Sequence, residues 1–187
     1  MRPLPTFLSR AVIAAVVLIA AILYCPQRYG IWADQMTYYL QANSLAFDGD
    51  LRFDQRDFAR FQRHGWSEKG PNGLYLRAAN GRFYYSKPFL YSLAAVPFVW
   101  IAPVRGPIVL NGLLWLLLVE ITFRWYRRFN AARRAAIVAA LAWVGSVAPF
   151  YIFVIHTDLM IATLLAGALY LWLTSLREER RAKDEER

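Results

Sequence analysis

A chain of 187 residues, 58% of them hydrophobic, with a mean hydropathy of +0.27, is not patterned as a soluble domain. Its apolar residues fall in long blocks and its charges cluster between them, whereas a water-facing core is written at helical or strand spacing. The formal net charge of +9 does not indicate nucleic acid, because the arginines flank apolar segments, where basic residues set orientation and meet anionic lipid headgroups. The single cysteine, Cys25, excludes an internal disulfide, and no Cys/His spacing fits a zinc site.

The first apolar block, residues 11–24 (AVIAAVVLIAAILY), follows Arg2 and Arg10. Small residues are missing where a signal peptidase cuts, so an uncleaved anchor over residues 1–25 is expected. Residues 8–25 are long enough to span about 30 Å at roughly 1.5 Å per residue. A polar stretch follows. Asp34 is placed to cap a helix over QMTYYLQANSLAF, and Asp48-Gly49-Asp50 reads as a turn. LRFDQRDFARFQRH puts Phe58 and Phe61 on one side of a short helix suited to the membrane surface. LYLRAA and RFYYS, either side of Asn80-Gly81, read as a two-residue hairpin with a type I′ turn.

Three more apolar stretches cover residues 88–104, 108–125 and 135–176, the last long enough for two helices with a break around 149–158. Five crossings would put the basic loop RWYRRFNAARR and the tail REERRAKDEER outside, against the tendency of Lys and Arg to stay on the cytoplasmic side. Residues 88–104 carry Pro88, Pro97 and Pro103; if they lie in the interface or dip in and return, four crossings remain, at 8–25, 107–125, 135–153 and 158–176. Both conflicts then vanish. The expected fold class is an all-α polytopic membrane protein with about four transmembrane helices, interfacial helices and a small β-hairpin in the first outer loop. Its parts are the anchor (1–25), the outer loop (26–106), a three-helix membrane segment (107–176) and a charged cytoplasmic tail (177–187).

Four crossings bring Asp34, Lys87, His156 and Asp158 to one membrane surface. A carboxylate there can act as general base, and Lys or His can offset phosphate charge. Each has a plainer reading: Asp34 as a helix cap, Lys87 as an interfacial anchor, His156 and Asp158 as groups exposed where a helical hairpin meets water. Glu120 is expected to pair with Arg124 one turn on. Asp48, Asp50, Asp54 and Asp57 lack the glycine and glutamate of a calcium loop, and the interleaved Arg52, Arg56 and Arg60 point to a solvated charged face. No P-loop, GxGxxG, GxSxG or HExxH motif is present.

Asp34-Gln35-Met36-Thr37-Tyr38 opens the polar loop and leads to ANSLAFDGDL, while Tyr84-Tyr85-Ser86-Lys87-Pro88-Phe89-Leu90 closes it. Arg105-Gly106-Pro107 leads into the second span, and Asp158 stands in HTDLMIATLLAGALYLWL. In this order, over residues 10–176, the pieces resemble the N-terminal part of GT-C class membrane glycosyltransferases, which include protein O-mannosyltransferases and the aminoarabinose transferases that modify lipid A. Gln35 stands where that family has a second acidic residue.

The resemblance implies transfer of a sugar from a polyprenyl-phosphate donor to an acceptor on the non-cytoplasmic side of a bacterial inner membrane. Asp34 would be the catalytic carboxylate, with Lys87, Tyr85, His156 and Asp158 binding substrate. No cofactor is specified, although a divalent cation fits the chemistry. Membrane lipid, the lipid-linked donor and a second polytopic chain are the expected partners, because family enzymes continue through many more spans. The alternative is a non-catalytic membrane subunit pairing with such a chain.

Overall fold

The computed structural model of the protein describes residues 18, 19, 22, 31, 33–64 and 71–185. The expected anchor lies outside them, apart from Leu18, Ile19 and Ile22, which are helical. The described chain is mostly helical with one small sheet: α1 (Asp34–Phe47), β1 (Arg52–Phe53), α2 (Gln55–Arg63), β2 (Tyr75–Arg77), β3 (Phe83–Tyr85), α3 (Leu90–Ile101), α4 (Gly106–Arg127), α5 (Ala132–Trp143), α6 (Ala148–Tyr151) and α7 (Asp158–Glu185).

Helix α1 is enclosed on every side, with each residue from Met36 to Ser44 buried. It therefore forms the buried centre of the described fold. Its sequence has no apolar stripe, and its buried polar side chains each make hydrogen bonds, as burial requires, with Asn43 Oδ1 left unpaired. Gln41 donates to the Lys87 carbonyl at 3.0 Å and accepts from Ser92 at 2.8 Å. Asn43 donates to the Tyr39 carbonyl at 2.9 Å. Ser44 donates to the Asp50 carbonyl at 3.1 Å, and Gly49, at φ 70°, turns the chain out of the helix.

The sheet runs in the order β1-β3-β2, all antiparallel, with Arg52 opposite Tyr84 and Leu76 opposite Tyr84 on its other side. The hairpin forms where expected, but its turn differs. A type I′ turn needs positive φ at both Asn80 and Gly81, and only Gly81 has it, at 77°. Gly81 N donates to Ala78 O at 2.9 Å and Ala78 N to Arg82 O at 2.8 Å, which makes a three-residue loop with glycine in the left-handed position. Helix α2 begins with a capping box between Asp54 and Asp57. Its apolar side is not free for a membrane surface: Phe61 is 1% exposed, packed within the core.

Among the described residues, two helices are long and apolar enough to cross a membrane, α4 and the first 22 residues of α7. Helix α3, at 12 residues, would extend only about 18 Å and is too short. The expected continuous span over 135–153 is broken. Helix α5 stops at Trp143, and the chain turns through Gly145 and Ser146 before the four residues of α6. Gly145 leaves the helix weakly supported, and Pro149 has no N–H to continue it. The further break before Asp158 is where the sequence indicates. The tail is not separate, since α7 runs on to Glu185.

Helices α4 and α7 lie side by side and parallel. Thr163 donates to Leu114 O at 3.3 Å, Trp125 meets Tyr170 with ring centroids 6.5 Å apart, and Arg128 donates to Thr174 at 2.6 Å. Between them the chain returns along α4. Trp143 donates to Thr122 at 2.7 Å, Trp115 donates to the Trp143 carbonyl at 3.2 Å, and the 151–154 turn reaches Asn111. Leu18 and Ile22 pack against Gly112, and Arg105 donates to the Ile22 carbonyl at 2.9 Å. The Glu120–Arg124 ion pair is present as expected.

Where α3 hands over to α4, a Cβ on Gly106 would fall 2.5 Å from Val99 N, with backbone on both sides of the contact. Gly106→Ala is expected to force the two helices apart at a cost of about 1–3 kcal/mol, seen as a lower unfolding temperature in detergent. An unchanged midpoint would show that the α3–α4 crossing yields freely.

Candidate functional site

Asp34 is the first residue of α1 and does not cap it. The cap position belongs to Ala33, at φ 51° and ψ −118°, with no side-chain cap bond. Such a backbone conformation costs on the order of 1–3 kcal/mol for a residue with a Cβ. It is held by Ala33 N donating to Asn72 O at 2.8 Å and by Thr37, whose hydroxyl donates to Ala33 O at 2.9 Å and accepts from Leu74 N at 2.7 Å.

The Asp34 carboxylate is thereby free to reach other segments. Its Oδ2 lies 2.6 Å from Lys87 Nζ and 3.6 Å from His156 Nε2. On the other side of the imidazole, Nδ1 is 3.1 Å from Asp158 Oδ1, an ionic approach without hydrogen-bond alignment. The ring stands edge-on to Tyr38 at 5.6 Å, and Tyr38 edge-on to Tyr91 at 5.4 Å. Lys87, with help from His156, holds the Asp34 carboxyl below its ordinary 3.8 against the opposing effect of burial. The Asp34, Lys87 and His156 side chains keep 34%, 25% and 30% of their exposure, so the cluster is open to a ligand.

Four of the five residues singled out in the sequence thus come together: Asp34, Lys87, His156 and Asp158. Tyr85 does not join them. It is buried in β3, with its ring against Phe53 and Tyr75 at 6.2 and 6.0 Å. Burial, reinforced by the neighbouring Asp57, pushes its phenol far above the usual range. Strand alternation would put residues 85 and 87 on the same face, but β3 ends at Tyr85 and the chain leaves the sheet through Ser86, so Lys87 is free to turn towards Asp34.

The residues that position the cluster are ones the sequence did not mark. Asn111, fully buried in α4, donates through Nδ2 to the carbonyls of Tyr151, Ile152 and Val154 at 3.3, 3.3 and 2.8 Å, and accepts from the Tyr91 hydroxyl at 2.9 Å. Gln35 accepts from Ile155 N at 3.3 Å. Together they pin the turn that delivers His156. Asn111 was visible as one amide inside an apolar run, where a polar group is expensive unless partnered.

The acidic cluster forms a separate knot. Arg60 reaches Asp48 at 2.6 Å and Asp57 at 3.2 Å, while Arg56 reaches Asp54 at 2.7 Å and Asp50 at 3.1 Å. The expected solvated face is corrected here: Asp57 is 1% exposed and the Asp48 side chain 9%, because Asp57 turns inward to accept from Asp54 N at 3.0 Å. Burial pushes Asp57 up to about 6. Among the described residues, no group of three or more His, Cys, Asp or Glu side chains is arranged to hold a metal ion.

No protein-family model, curated protein or solved structure matches the chain.

Two predictions follow from these contacts. Asn111→Leu keeps the volume but strips three carbonyls of their donor, and is expected to cost about 2–4 kcal/mol in detergent unfolding; a neutral result would mean the 151–155 turn holds itself. Asp57 binds its proton more tightly in the fold than in the unfolded chain, so its contribution to stability falls as pH rises from 3.8 to about 6. Asp34 has the opposite sign, and its contribution is lost only as pH falls below 3.8. His64, held below its ordinary 6.5 by burial and by Arg60 and Arg63, works against this as pH falls, so the expected result is a comparison: between pH 7 and pH 5 the unfolding temperature of the parent moves upward relative to that of Asp57→Asn.

Proposed function

We propose that the chain crosses the membrane four times and that the Asp34 cluster serves glycosyl transfer from a polyprenyl-phosphate donor on the non-cytoplasmic side, in the manner of GT-C enzymes. The parallel packing of α4 and α7 supports the crossing pattern. Two parallel spans need a return between them, and the broken segment α5–α6 runs back beside α4 from its C-terminal end to the level of Asn111. Leu18 and Ile22 both meet Gly112, and Arg105 holds the Ile22 carbonyl, so the first apolar block lies against the N-terminal part of α4. Lys and Arg then gather around the 124–134 loop on the cytoplasmic side. Asp34, Lys87 and His156 sit at the opposite end. A bacterial cytoplasmic membrane, with the segment joining the first crossing to α4 outside, is the setting this reading assigns.

The observation that carries the chemistry is the convergence of Asp34, Lys87, His156 and Asp158 from separate segments on one partly open cluster. In the proposed reaction, an acceptor oxygen bonds to the anomeric carbon as the bond from that carbon to the phosphate oxygen breaks. The bonding pair leaves with the polyprenyl phosphate. Asp34, ionised at neutral pH, accepts the acceptor hydroxyl's hydrogen bond and takes its proton for release to water. Lys87 faces the growing phosphate charge with the His156 imidazole beside it, and Asp158 stands next to the far ring nitrogen. Positioning and charge stabilisation supply most of the rate.

A second reading keeps the same fold without catalysis. The spanning part of α7 exposes Ile161, Leu164, Leu165, Leu171 and Trp172, a surface that a second polytopic chain can cover as readily as lipid. Asp34→Asn, assayed in membranes supplied with a lipid-linked sugar, is expected to lower transfer by at least about 100-fold while unfolding in detergent stays cooperative. Transfer at the parent rate removes Asp34 from the mechanism, and transfer that appears only after co-purification with another polytopic chain favours the subunit.

A further inference from the structure

At the end of the α4–α7 pair remote from Asp34, a cleft of about 260 Å³ is lined by Trp125, Arg128, Phe129, Leu173, Leu176 and Arg177. Its two guanidiniums are fixed by contacts that leave most of their donors unspent. Arg128 donates to Thr174 Oγ1 at 2.6 Å and lies over the Tyr170 ring at 4.4 Å, while Arg177 lies over the Phe129 ring at 4.8 Å. Among the described residues, neither has a carboxylate within 4.0 Å. Each guanidinium carries five N–H donors in a rigid fork that matches a phosphate. Two such groups lining one cleft concentrate positive charge there.

We propose that this cleft binds the phosphate headgroup of an anionic phospholipid. The remaining walls decide the source of the phosphate. Trp125, Phe129, Leu173 and Leu176 give the charge an apolar flank, which an inorganic anion does not need and an acyl chain does. Farther along α7, the exposed Leu169 and Trp172 extend that apolar surface. Trp125 and Phe129 stand where interfacial aromatics meet headgroups, and basic clefts between spanning helices on the cytoplasmic side are suited to such lipids. The lipid would tie α4 to α7 at the end where Arg128, Thr174 and the Trp125–Tyr170 ring contact join them. This inference rests on α4 and α7 crossing a bilayer and is independent of sugar transfer.

The test is native mass spectrometry of the full chain in detergent, equilibrated with mixed micelles of phosphatidylglycerol and phosphatidylcholine. The parent protein is expected to retain phosphatidylglycerol preferentially. Arg177→Gln is expected to lower the preference about fivefold and Arg128→Gln with Arg177→Gln to remove it, while Arg133→Gln, outside the cleft, leaves it unchanged. Because Arg177 is exposed and lies over the Phe129 ring without joining α7 to another helix by a hydrogen bond among the described residues, the single variant reports on binding even if the double variant fails to fold. No preference in the parent, an equal loss in Arg133→Gln, or displacement of the lipid by inorganic phosphate would each overturn the proposal.

Discussion

One side-chain amide holds the described fold in register. Asn111 sits in the middle of an apolar helix, where an unpartnered polar group is costly, and its donor can be satisfied only by backbone that has left helical pairing. The 151–154 segment supplies that backbone. The dependence is mutual, since carbonyls released at the end of a short helix also need donors when buried. The return segment must therefore break opposite Asn111, α7 must start shortly afterwards, and His156 is carried to the mouth of the α1–α4 cluster.

The same logic organises the other half of the protein. Helix α1 is buried all round yet polar at Thr37, Gln41, Asn43 and Ser44, and each of these groups reaches a different segment. Gln41 reads the backbone of Lys87 and the hydroxyl of Ser92, so the start of α3 and the site lysine are placed by one side chain. Thr37 stabilises the strained Ala33 that frees Asp34 from capping. The candidate site is thus built at a helix end whose local rule is broken: an Asp in the first turn, able to cap, pairs instead with a lysine 53 residues away in sequence.

Charge is divided between two environments. The Asp–Arg knot around α2 compensates itself internally and leaves the buried Asp57 with an elevated pKa, whereas Asp34 and Lys87 pair in a partly open setting where both remain accessible. At the far end of α4, Arg124 pairs with Glu120, while Arg128 and Arg177 lie over the Tyr170 and Phe129 rings.

The sequence by itself determined the helical content, the hairpin around Asn80-Gly81, the turn at Gly49, the break before Asp158 and the Glu120–Arg124 pair. These follow from short-range physics: apolar run length, glycine's access to positive φ, and one-turn spacing on a helix. It also marked Asp34, Lys87, His156 and Asp158, because chemistry-bearing groups stand out beside long apolar runs. Tertiary structure alone decided that α1 is the buried hub, that Asp57 and Phe61 turn inward, that Tyr85 faces away from the site, and that Asn111 and Gln35 aim the turn carrying His156. Those outcomes depend on which distant backbone carbonyl or side chain satisfies each buried polar group. Such pairings join residues tens of positions apart, and no local pattern of hydrophobicity or propensity encodes them.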